Sequence, residues 1–101
     1  MSESSLYGLS DKTIFSLKSV FSKYPEIKKV LLYGSRAKGS FKSGSDIDLT
    51  LVAPDLTLTK LLHIQNQIED LMLAHKVDLS LFHKIENQDL LDHIQRVGVE
   101  F

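Results

Sequence analysis

Three short apolar runs limit the folds open to this chain: Ile27 to Tyr33, Ile47 to Ala53 and Val77 to Phe82. Each is too short for an independent helix, and the first two are closed by Gly34 and by Pro54-Asp55, so they read as strands. In the first, Lys28 and Lys29 stand near the start and Val30-Leu31-Leu32 is expected to be buried on both faces. The third alternates, with Val77, Leu79 and Leu81 on one face and Asp78, Ser80 and Phe82 on the other. The stretches around them keep helical spacing. Ser10 or Asp11 can cap a helix carrying Ile14, Leu17, Phe21 and Tyr24, which Pro25 ends. Thr57 can cap one with the stripe Leu58, Leu61, Leu62, Ile68, Leu71 and Met72. Asn87 can cap a last one with Leu90, Leu91, Ile94 and Val97, stopped by Gly98, and Val99 to Phe101 can add a short edge strand. The order predicts a single α/β domain, one small sheet flanked by helices.

Composition supports that reading. A chain of 101 residues makes one domain, and 43% apolar residues fill one core. The formal charge of −1 argues against disorder and against nucleic acid as a direct partner, which would call for a basic excess. The absence of cysteine excludes disulfides, thiolate metal sites and a cysteine nucleophile, and fits the cytoplasm. No apolar run approaches the ~18 residues of a membrane span. Residues 1–9 lack the layout of a signal peptide and are expected to form a loose polar tail before a folded domain at 10–101. His63, His75, His83 and His93 are scattered with no pair at metal-ligand spacing, which argues against zinc.

The chemistry concentrates in Gly34-Ser35-Arg36-Ala37-Lys38-Gly39-Ser40-Phe41-Lys42-Ser43-Gly44-Ser45-Asp46-Ile47-Asp48-Leu49, read as a loop, with room for one helical turn, that leads into the second strand. Asp46 and Asp48 are two apart, so both carboxylates project from one face. Two such charges ~4 Å apart repel by about 4 kcal/mol at an effective dielectric near 20. A divalent cation would offset that cost, and hard oxygen ligands suit Mg²⁺. Gly34 lets backbone approach a phosphate closely, and the Ser35 hydroxyl and the N–H groups after it can donate to phosphate oxygens. Asp78 can join the pair if its strand neighbours the second one, as a further metal ligand or as the base that deprotonates an acceptor. Taken singly, each feature has an ordinary reading as a solvated strand face or a polar connection. Their coincidence in one chain points to phosphate chemistry. The loop is not a Walker A sequence.

Gly34-Ser35, ten residues, then Asp46-x-Asp48 resembles the signature of the polymerase-beta-like nucleotidyltransferase superfamily, and GSRAKGSFKSGSDIDL resembles its minimal nucleotidyltransferase (MNT) branch. The resemblance covers Ile27 to Phe82 in detail and the remainder by element order. It implies a small mixed sheet flanked by helices. Gly34 and Ser35 would bind triphosphate, with Arg36 and Ser45 as further phosphate contacts, while Lys38 and Lys42 are as readily solvated. Asp46, Asp48 and Asp78 would hold Mg²⁺, two ions in all, around ATP or another nucleoside triphosphate.

Larger members of that superfamily carry a second domain for which this chain has no room, so its catalytic strands need another wall, from a second copy or a helical partner. The resemblance implies a small helical HEPN protein as partner in a toxin–antitoxin-like pair, with AMP transferred from ATP to a hydroxyl of that partner. The alternative is a catalytically weak or inactive module that neutralises the HEPN protein by contact. Transfer to a small molecule is the weakest of the three readings.

Overall fold

The computed structural model describes residues 7–101 of the chain. Helix α1 (Asp11–Phe21) leads to β1 (Lys29–Tyr33), the short helix α2 (Gly34–Lys38), β2 (Ile47–Val52), α3 (Leu58–Asp70), β3 (Val77–Leu81), a 3₁₀ turn (Phe82–Lys84), α4 (Gln88–Val97) and β4 (Val99–Glu100). The strands form one mixed sheet in the order β3-β2-β1-β4. β1 runs antiparallel to β2 and β4, whereas β2 and β3 are parallel and joined by the crossover helix α3. Among the described residues no helix is long and apolar enough to cross a membrane.

The predicted caps form. Ser10 accepts from the Thr13 N–H, Thr57 from the Lys60 N–H and Asn87 from the Leu90 N–H, each satisfying one orphan donor of a first helical turn. Helix α1 ends at Phe21, before Tyr24, since Pro25 disfavours helical backbone in the residue preceding it. Tyr24 instead donates its hydroxyl to Gln67 on α3, and Glu26 pairs with Lys60 of the same helix. Gly98 stops α4 in extended rather than left-handed backbone. It is glycine because a Cβ there would strike the Ile94 carbonyl.

Register fixes what each face carries. Leu32, Leu49 and Leu79 form one row across three strands, and Val30, Leu51 and Leu81 form the next. These rows pack with Leu17, Val20 and Phe21 of α1 and Ile64 and Ile68 of α3 into the main core. The opposite face carries the rows Tyr33-Asp48-Asp78 and Leu31-Thr50-Ser80, with α2 and α4 packed on part of it. Leu31 is therefore only half-buried, not enclosed on both sides as β1's apolar run suggested. The α3 stripe also differs from expectation. Ile64 is fully buried, while Leu58 and Leu62 are largely exposed, because the helix turns its Leu61-Ile64-Ile68 side to the sheet. Met72 lies beyond the helix end at φ 55, a left-handed position that throws its side chain outward, 86% exposed. Leu9 falls within the tail expected over residues 1–9. It is completely buried, held by the core it packs into, and residues 1–6 lie outside the described ones.

Ile64→Ala is expected to cost about 2–5 kcal/mol in urea unfolding. Leu62→Ala, on the same helix, should stay within about 0.5 kcal/mol.

Candidate active site

The parallel pairing of β2 with β3 sets Asp48 directly beside Asp78, and the antiparallel pairing with β1 sets Tyr33 on the other side of Asp48. Neighbouring strands are about 4.8 Å apart, so the three side chains stand in one row on one face. Burial raises the Asp48 carboxyl above its ordinary range, Asp78 raises it further, and Asp46 adds to the effect, while His93 and Arg36 oppose it. Burial also raises the Tyr33 phenol, with Ser80 acting against it and the Asp48 and Asp78 charges adding to it. Asp46 lies just before β2 and is exposed, within charge range of Asp48.

Gly34 meets this row at its centre. The chain leaves β1 at Gly34 with φ +76, where a Cβ would collide with Asp48 Oδ2, so a side chain is excluded both by backbone conformation and by the carboxylate. Helix α2 starts there, with Ser35 half-buried in its first turn, and Gly39 closes it at φ +84. The Gly34 N–H donates to His93 Nε2 of α4 at 3.0 Å, and the His93 ring meets Tyr33 edge to face, centroids 6.2 Å apart. Sequence reading gave His93 no role, because a lone histidine on an amphipathic helix carries no spacing signal and its contact spans 59 residues.

Two predicted phosphate contacts are engaged elsewhere. Arg36 is 2% exposed, and its guanidinium donates to the carbonyls of Ser45 and Tyr7. It also lies 3.2 Å from His75 Nδ1 and stacks over Phe41. It is thus a tie between the N-terminal segment, the Asp46 loop and the turn before β3, rather than a group presented to a ligand. Ser45 Oγ accepts from the Lys42 N–H and closes its own turn. Lys38 and Lys42 are exposed.

The donors available to a metal are carboxylate oxygens only: Asp48 and Asp78 side by side, with Asp46 at the mouth. Among the described residues no three or more acidic, cysteine or histidine side chains form a ready-made cage. That set fits Mg²⁺, which usually takes one or two protein carboxylates and completes its shell from substrate phosphates and water. A cavity of about 540 Å³ borders Asp78 where α3 ends and β3 begins.

The sequence matches the family described as Polymerase beta, Nucleotidyltransferase over residues 16–101. A Methanocaldococcus jannaschii protein provisionally named a protein adenylyltransferase is 32% identical over 84 residues, covering 75% of this chain and 85% of that protein. The fold recurs in the crystal structure of a toxin–antitoxin with AMP-PNP, at a TM-score of 0.68 and 22% identity over 91% of this chain and 72% of that one. It recurs again in a structure of tri-AMPylated Shewanella oneidensis HEPN toxin with MNT antitoxin, at 0.59 and 16% over 87% and 70%.

Because Asp48 is held above its unfolded value, its ionisation opposes folding, so wild-type stability falls as pH rises through the carboxylate range. Asp48→Asn is therefore expected to stabilise the metal-free chain at pH 7 and to raise its Tm. The gain should vanish below about pH 3, where the carboxyl is protonated in both states. Thermal melts of both proteins across that range check the sign. Arg36→Lys should cost about 1–3 kcal/mol, since one ammonium cannot serve the same acceptors.

Proposed function

The chain belongs to the polymerase beta nucleotidyltransferase family, and on that premise we propose that it transfers AMP from ATP to a hydroxyl on a helical HEPN-type partner protein. The approach of Gly34 to Asp48, closer than any side chain would permit, carries this reading. It brings a turn able to hold phosphate against the carboxylates that need a cation. The triphosphate lies at Ser35 and the start of α2. The Gly34 N–H is already given to His93 and serves to hold the turn in place. Asp46, Asp48 and Asp78 would hold Mg²⁺, two ions with the nucleotide's phosphates, and that ion would supply charge neutralisation for the oxygens of the displacement.

The acceptor oxygen forms a bond to the α-phosphorus, the bond from that phosphorus to the α–β bridging oxygen breaks, and pyrophosphate leaves. Asp78, exposed beside Asp48, takes the hydroxyl proton. ATP as donor and a protein as acceptor are supported by the name of the archaeal relative and by the AMP-PNP and AMPylated-toxin structures that share the fold. A contact-only antitoxin is the competing reading, and substitution at Asp48 separates the two.

Incubating the chain and a HEPN-type neighbour with labelled ATP and Mg²⁺ should add one or more AMP units to the neighbour by mass spectrometry. Chelation should abolish the gain, and Asp48→Asn should reduce it at least about 100-fold. Transfer at the wild-type rate by folded Asp48→Asn would refute the metal role. Neutralisation of the partner without any label would establish the contact-only reading.

A further inference from the structure

We propose that the open edge of β3 docks the acceptor as an added strand, an extended segment outside the helices of the partner protein that alternates apolar with hydroxyl side chains. This rests on the transfer reading only for why the segment comes there. The sheet has two edges. β4 offers two residues, whereas β3 offers five, with neither proline nor bulge to blunt them.

The phase of the ladder identifies the unpaired groups. The Ile47 N–H donates to the Lys76 carbonyl at 2.8 Å, and the register runs Ile47 with Val77, Asp48 with Asp78 and Leu49 with Leu79. A parallel ladder in that phase turns the backbone groups of Asp78 and Ser80 toward β2. Those of Val77, Leu79 and Leu81 point outward.

Side chains follow from the same register. A strand added about 4.8 Å beyond β3 continues both of its faces. On the Leu79 side it lies over the cavity of about 540 Å³, whose walls join Ile68, Met72 and Leu73 to Glu69, His75 and Lys76. The three apolar side chains lie at or just past the end of α3, where exposed, flexible Met72 can adapt to an apolar residue of the added strand. On the other side, the residue beside Asp78 has its Cβ about 5 Å from that of Asp78. A hydroxyl there is within reach of the carboxylate. The groove thus ends at the group that must receive the acceptor's proton, and the edge itself sorts apolar from hydroxyl positions.

The test is amide hydrogen exchange of the full chain by NMR, with a seven-residue peptide alternating valine and threonine, solubilised by a polyethylene glycol tail. A second peptide carries N-methyl groups on alternate amides. Exchange at Val77, Leu79 and Leu81 should slow about five- to tenfold with the first peptide and not with the second. Unchanged rates, or equal slowing by both peptides, would overturn the proposal. So would slowing with rising protein concentration alone, which would assign the edge to a second copy of the chain. Mg²⁺ with AMP-PNP, in a separate arm, should shift Gly34 and Asp48. Failure of that arm with edge protection intact would remove the transfer reading and leave the docking strand.

Discussion

Two carboxylates held abreast on adjoining parallel strands are the constraint from which the site follows. Asp48 and Asp78 cannot move apart without breaking the register that also aligns Leu49 with Leu79 and Leu51 with Leu81 in the core. The apolar face of the sheet therefore fixes the distance between charges on the polar face. The fold carries this repulsion because burial of the leucine rows outweighs it. What remains is a patch of negative charge that a cation and a phosphate chain together would neutralise.

Around that patch the chain spends its unusual contacts on position. Gly34 is pressed against Asp48 and tied by its N–H to His93, so α4 holds the turn from a distant part of the sequence. Arg36 does the same for the loop before β2, binding the carbonyls of Ser45 and Tyr7. Neither contact presents a charge to a ligand, yet both fix groups that would. A site that relies on electrostatic preorganisation depends on such supports as much as on the groups they hold.

The elements, their order and the helix caps were legible in the sequence because each is set by local spacing. So was the Asp46-x-Asp48 motif after Gly34-Ser35, which identifies the family. The row Tyr33-Asp48-Asp78 could be anticipated only conditionally, since nothing local says that β3 pairs with β2. Other features were hidden for the same reason. Arg36 read as a phosphate contact because a loop arginine gives no sign of the carbonyls that will enclose it. His93 read as an idle histidine because its partner is Gly34. On α3 a run of leucines outweighed Ile64, and only the packed sheet shows which side of the helix is turned inward. Leu9 gives no sign of its burial in the sequence, because a single leucine has no period.

The most direct measurement is the ionisation of Asp48 followed by ¹³C carboxyl NMR in the metal-free protein. Titration above the ordinary aspartate range is expected, with a return toward it when Asp78 is replaced by asparagine. An Asp48 that titrates at its ordinary value and ignores that replacement would show that the carboxylates do not act on each other.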